Sequence, residues 1–183
     1  MAQFFSSLEP DHEQELLAAP VFFVASAPKN GRINLSPKGM DTLRVLSPNR
    51  IAYLDLTGSG NETAAHLKED DRITLMVCSF TRKALILRVY GHARNVQPGE
   101  QEWGDLIAHF DEIPGTRQIF VIEVDSVQTS CGYAVPQMEL VAERQTLRKW
   151  AEGQSDEQLR DYRARKNSTS IDGHPTGITI NAL

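Results

Sequence analysis

The sequence predicts a mainly β domain with flanking helices (α+β), its antiparallel strands forming a closed or partly closed barrel that a C-terminal helix follows. Three observations predict it. Runs rich in β-branched and aromatic residues recur through most of the chain. Turn residues such as Pro28-Lys29-Asn30-Gly31 and Ser47-Pro48-Asn49 separate them at short intervals. Helical periodicity is confined to a few segments, the longest lying after Pro136. Many strands joined by short turns favour a barrel, because closure removes unpaired sheet edges.

Taken in order, residues 9–19 read as a helix with Leu16 and Leu17 on its buried side and Pro20 as its stop. Residues 21–26 read as a strand, and the turn at 28–31 leads into the next, which carries Ile33 to Lys38. Residues 42–46 are a short strand, and 51–56 another with Ile51, Tyr53 and Asp55 on one side. A short helix is expected at 61–68, then strands at 72–79 and 84–93. Trp103, Ile107 and Phe110 have helical spacing, which predicts a helix over 100–110, and 118–127 reads as the last long strand. From 140 to 165 the chain is charged and periodic, with Leu147, Trp150, Ala151 and Leu159 near one face and a break around Gly153. The tail over 167–183 is rich in Ser, Thr, Gly and Asp, and reads either as plain disorder or as a segment folded over a partner subunit's site. The expected division is a barrel over 1–143 and a C-terminal helix and tail over 144–183. The second part should pack on the same domain or on a partner, since about 25 helical residues cannot bury a core alone.

Two segments carry the polar residues that suggest chemistry. In Ile33-Asn34-Leu35-Ser36-Pro37-Lys38-Gly39, a strand puts Asn34, Ser36 and Lys38 on one face and Ile33 and Leu35 on the other. In Asp55-Leu56-Thr57-Gly58-Ser59-Gly60-Asn61-Glu62-Thr63, a strand ends in a Gly-rich turn that opens a helix. Free backbone N–H groups at such a start can hold an anion. Each segment has a plainer reading: an ordinary solvated strand face for the first, and a Ser59–Glu62 capping box for the second. Asp55 is either a turn acceptor or an acceptor for a ligand hydroxyl or ring N–H. Arg88 interrupts an apolar run, so its guanidinium needs either a carboxylate or a phosphate.

Other classes find little support. A net charge of −5 argues against a nucleic-acid surface. No apolar run of about 18 residues is present, so no membrane helix is expected. Cys78 and Cys131 form neither a zinc pattern nor a redox pair, which suits a cytoplasmic protein. The histidines have no metal spacing, no metal site is expected, and no catalytic residue is assigned.

With SPKG at 36–39, TGSGNET at 57–63 and the later segment Ser130-Cys131-Gly132-Tyr133-Ala134-Val135-Pro136, the chain resembles the pyridoxamine 5'-phosphate oxidase-like family of FMN-binding split barrels. The resemblance covers about residues 10–140 and is strongest to an uncharacterised flavoprotein branch. It implies an antiparallel split β-barrel and a homodimer with FMN between the subunits. It also implies a flavin-dependent oxidoreductase acting on a small molecule. On that reading Asn34 and Ser36 address the ring and ribityl chain, and Asp55 a ribityl hydroxyl or the ring N3–H. Lys38, the amides of Gly58 to Asn61 and the hydroxyls of Thr57, Ser59 and Thr63 hold the phosphate. The true oxidases carry a basic Ser-Arg-Lys where this chain has Ser59-Gly60-Asn61-Glu62. Positive charge is therefore expected from Lys38, Arg88 or the pair Arg82-Lys83, and pyridoxamine phosphate oxidation does not follow from the resemblance. The alternatives are a protein that stores, senses or delivers flavin without turnover, and the same barrel holding a deazaflavin or haem.

Overall fold

One antiparallel sheet of eight strands organises the computed structural model, which describes residues 2–180. The strands are β1 (Gln3–Phe5), β2 (Phe22–Ser26), β3 (Asn34–Lys38), β4 (Leu43–Ser47), β5 (Arg50–Leu56), β6 (Arg72–Cys78), β7 (Ile86–Val96) and β8 (Thr116–Ser130). Five helices flank them: α1 (Pro10–Ala18), α2 (Glu62–His66), α3 (Trp103–Ile107), α4 (Thr146–Glu152) and α5 (Asp156–Lys166). The strand order is β3-β2-β6-β7-β8-β5-β4, with β1 pairing the far end of β8. Among the described residues the backbone ladder does not close. The sheet nevertheless curls until Lys38, on the β3 end, forms an ion pair with Asp55 on β5, next to the other end.

Alternation along the strands explains the core. Phe22 and Val24, Leu75, Leu87 and Val89, and Tyr53, Phe120 and Ile122 all turn inward and pack together. Tyr53 stacks on Phe120 with ring centroids 4.9 Å apart, and Phe22 meets it edge-on at 5.7 Å. The opposite face of β5 and β8 is covered too: Ala52, Leu54, Ile119 and Val121 pack with Leu106 of α3 and Ile113. That double burial is why 51–56 reads as a nearly continuous apolar run. At the β7 bulge, Gly91 lies so close to Glu123 that an added Cβ would sit 2.0 Å from the Glu123 carbonyl oxygen.

Several bounds differ from the pattern reading. β1 is absent from it, because a three-residue strand carries no period of its own and is held by pairing to β8. β7 starts at Ile86 and runs on past Ala93 to Val96, since β8 offers partners along that whole length. α3 covers only Trp103–Ile107, with turns on either side. Residues 140–145 are not helical, and the last two helices are separate, with Ser155 starting the second through a capping box with Gln158. Among the described residues no helix is long and apolar enough to cross a membrane.

Candidate functional site

β3 supplies the first wall. Asn34, Ser36 and Lys38 pair with Ser26, Val24 and Phe22, so the polar row faces the same side as the buried residues of β2. Because β3 ends the sheet, the row is half-buried rather than sealed. The Ser36 hydroxyl donates to Asn34 Oδ1 at 2.9 Å, and Asn34 Nδ2 donates to Thr63 Oγ1 at 3.2 Å.

Asp55 is the hub of the second wall. It follows Ile51 and Tyr53 on the inner side of β5 and is 1% exposed. Its Oδ1 accepts from Lys38 Nζ at 2.9 Å, and its Oδ2 from Arg117 Nε at 2.6 Å and Gln118 Nε2 at 2.9 Å. Burial alone would raise this carboxyl, but the Arg117 and Lys38 charges outweigh it and hold the group well below the usual carboxylate range. Gln118 Nε2 also donates to Asn61 Oδ1 at 2.7 Å, tying the strand to the turn that follows.

That turn spans 57–61. Thr57 is fully buried; its hydroxyl donates to the Gly115 carbonyl at 2.8 Å and accepts from Arg163 Nε at 2.9 Å. Gly115 has φ 84, which suits glycine, and a Cβ there would lie 3.1 Å from that of Ala151 in α4. Arg163 Nη2 donates to the carbonyls of Thr116 at 3.0 Å and Gly115 at 3.4 Å. Burial and the neighbouring Arg117 charge lower the Arg163 pKa to about 10, leaving it protonated at neutral pH. The Ser59–Glu62 capping box does not form. Asn61 precedes α2 without a side-chain cap bond, and both Glu62 carboxylate oxygens accept from the Ile171 amide at 3.1 Å. The amides of 58–61 donate to no acceptor among the described residues.

The C-terminal tail covers this turn. Asn167 Nδ2 donates to the Gly58 carbonyl at 2.9 Å, while the Asn167 carbonyl accepts from Asn61 Nδ2 at 3.3 Å and Thr176 Oγ1 at 2.6 Å. Asp172 pairs with Arg32, His174 with Glu69 at 2.5 Å, and Gln97 bonds the backbone of Gly177 and Thr179. This corrects the reading of the tail as plain disorder. Through residue 180 it is built onto its own chain, because fully buried Asn167 and Thr176 anchor it. Residues 181–183 lie outside the described residues.

The fold thus brings Asn34, Ser36 and Thr63 beside Lys38, Asp55, Thr57, Gly58 and Asn61, with Ser59 and Gly60 on the same turn. Arg88 stands apart. Its neighbours Leu87 and Val89 enter the core, so Arg88 lies on the opposite face, where Nη1 donates to Ser130 Oγ at 3.3 Å. Lys83, a second candidate source of charge, pairs with Glu15 at 2.5 Å, and Arg82 is exposed. Four residues of the cluster were not anticipated: Arg117, Gln118, Arg163 and Asn167. The adjacent polar pair 117–118 opening an apolar strand was a usable signal. Arg163 had none, lying among Arg160, Arg165 and Lys166.

A separate cleft lies on the surface. Its volume is 1220 Å³, and it opens between the end of α1, the end of β6 and the irregular segment before α4. Ala18, Val77, Phe80, Leu85, Leu147 and Trp150 line it, together with Gly39 and Met40, which follow Lys38 in the chain.

Comparison with known proteins agrees with this architecture. The pyridoxamine 5'-phosphate oxidase family model matches residues 8–131. The pyridoxamine 5'-phosphate oxidase family protein ustO of Aspergillus flavus is 35% identical over 193 residues, covering 96% of this chain and 78% of the relative. Among solved structures, a candidate pyridoxamine 5'-phosphate oxidase of Lactobacillus delbrueckii superposes with TM-score 0.54 at 17% identity, covering 67% of this chain and 94% of its own. The HupZ protein of Group A Streptococcus gives TM-score 0.51 at 16% identity, covering 66% of this chain and 92% of its own. At such identities these two structures speak for the fold, a split barrel. The family match and the Aspergillus relative go further: the chain belongs to the pyridoxamine 5'-phosphate oxidase family.

Proposed function

We propose that this chain is an FMN-binding flavoprotein, acting as a homodimer with the cofactor at the subunit interface and as a flavin-dependent oxidoreductase on a small molecule. The observation that carries the reading is the half-buried row Asn34–Ser36–Lys38 lying beside a turn whose amides at 58–61 have no acceptor among the described residues. Family membership supports it.

The residues present fit a phosphate-bearing group. Lys38, Arg117 and Arg163 stand against the single buried carboxylate of Asp55, so the cluster beneath the turn holds a surplus of positive charge. A phosphate dianion would balance that surplus and accept from the turn amides. Asn34 and Ser36 would address the ring and ribityl polar atoms. Lys38, the amides of 58–61 and the hydroxyls of Ser59 and Thr63 would take the phosphate. Thr57, with its hydroxyl already committed on both sides, would hold the turn in shape from beneath. Asp55 would fix Lys38 and Gln118 in place. Bound flavin supplies the redox chemistry of its ring, and the protein supplies orientation and the electrostatic setting.

A second subunit fits the exposed side of the same strand. Ile33, just before the end strand β3, and Leu35 on it are 77% and 64% exposed, an apolar pair at the edge of the sheet. Arg88, on the outer face, would then lie on the side open to a partner.

The test is titration of the flavin-stripped protein with FMN, followed by anaerobic addition of NADH or NADPH. Lys38→Ala should weaken FMN binding, and bleaching of the bound flavin by a nicotinamide donor would support turnover. Unaltered FMN affinity in the variant would count against the assigned site. Flavin that binds but no donor reduces would turn the reading toward storage or sensing.

A further inference from the structure

Arg163 is a buried cation with no ion-pair contact among the described residues. It is 2% exposed, yet each hydrogen bond it makes goes to a neutral oxygen: the Thr57 hydroxyl and the carbonyls of Gly115 and Thr116. Buried arginines are normally paired with a carboxylate or another anion. The nearest buried carboxylate, Asp55, accepts from Lys38, Arg117 and Gln118 and not from Arg163. Asp156, at the exposed start of the same helix, and Asp55 act on Arg163 through space only, without a hydrogen bond to it. Arg117 brings a second guanidinium to the same place, only 5% exposed, and its Nη1 is buried with no partner among the described residues. Two like charges buried together, one of them with an N–H lacking an acceptor, form an arrangement that an anionic oxygen would complete.

We propose that Arg117 and Arg163 are the cation pair that receives the phosphate of FMN beneath the 57–61 turn. They bring, from β8 and α5, the positive charge that Thr57-Gly58-Ser59-Gly60-Asn61 itself lacks. The inference rests on the flavin reading above. It gives the C-terminal helix a role in cofactor choice: α5 carries a phosphate-selective residue as well as closing the domain. Glu62 fits the scheme, since its carboxylate is turned toward the Ile171 amide and not toward the guanidinium groups.

The experiment compares FMN with riboflavin, which lacks the phosphate, by fluorescence titration of the full-length, flavin-stripped chain. Wild type should bind FMN more tightly. Arg163→Gln should lose roughly tenfold to a hundredfold in FMN affinity, the range of a charge-assisted hydrogen bond, with riboflavin affinity unchanged. Arg163→Lys and Arg117→Lys, which keep the charge but lose the planar fork, should show smaller losses for FMN alone. Equal losses for both ligands, or none for FMN in a variant with a native circular dichroism spectrum, would show a purely structural arginine and overturn the proposal. If Arg163→Gln does not fold, Arg163→Lys decides by the same FMN-to-riboflavin ratio. Wild type binding both ligands equally would overturn this inference and leave the flavin reading standing; wild type binding neither would defeat the flavin reading itself.

Discussion

The polar cluster under the 57–61 turn and the apolar cleft beside α1 are built in opposite ways. The cluster is largely buried and assembled from distant parts of the chain: β3, β5, the start of β8, the end of α5 and the tail. Most of its buried side-chain polar atoms have partners, and among the described residues the exceptions in the cluster are Arg117 Nη1 and Asn167 Oδ1. The cleft is open, and one of its walls is an irregular segment in which Leu140 is 62% and Val141 96% exposed. A network of buried charges holds one geometry, because each partner lost leaves a costly charge behind. An open apolar wall carries no such constraint. The contrast assigns fixed recognition of the cofactor's polar end to the cluster, and leaves the cleft as a region that tolerates change.

The largest expected effect tests the rigid half of that contrast. Asp55→Ala removes the carboxylate that Lys38 and Arg117 share, and should cost about 3–5 kcal/mol in a urea melt, the usual cost of breaking a buried ion pair. A loss below about 1 kcal/mol, ordinary for a surface pair, would mean that the cluster is solvated and not buried. The same carboxyl carries a pH signature. Its folded pKa is depressed, so its contribution is fully present above the ordinary unfolded value near about 3.9 and is lost as pH falls through the lower folded value. Acid unfolding should therefore show a limb below about pH 4, and Asp55→Asn should remove it. A limb that persists in the variant would assign it to another group.

A smaller effect is expected where the tail meets the turn. Asn167→Ala removes the side-chain bond to the Gly58 carbonyl at a fully buried position and should cost about 1–3 kcal/mol. Amide hydrogen exchange in 57–63 should rise together with that in 168–176, since the two segments are tied. Faster exchange in the tail alone would separate them. The smallest effect belongs to the irregular segment beside the cleft. Val141→Ser should change stability by less than about 0.5 kcal/mol, and a larger loss would show that the segment is packed in solution.

The contrast also explains what could be read before the fold was known. Period-two alternation exposed the polar row on β3, and the strand-to-turn pattern exposed 55–63, because both signals are local. The strand order, β1 and the full length of β7 depend on pairing with β8, so no local pattern carries them. The Ser59–Glu62 spacing was misleading. A capping box is the local optimum, but Glu62 found the Ile171 amide, more than a hundred residues away in sequence, and the tail decided its orientation. Arg163 was hidden in a helix whose exposed face carries other basic residues; only burial against Thr57 and Gly115 distinguishes it. The tail looked disordered by composition, and two buried polar residues, Asn167 and Thr176, order it.

The central claim is that the row on β3 and the turn above the arginine pair hold a flavin nucleotide. The most direct measurement is a visible absorbance spectrum of the freshly purified protein, with mass spectrometry of whatever heat releases. The account predicts the bands of oxidised flavin and a released mass equal to that of FMN. A colourless protein that also fails to take up added FMN would contradict it, and would leave the cluster as a purely structural clamp between the barrel and its C-terminal helix.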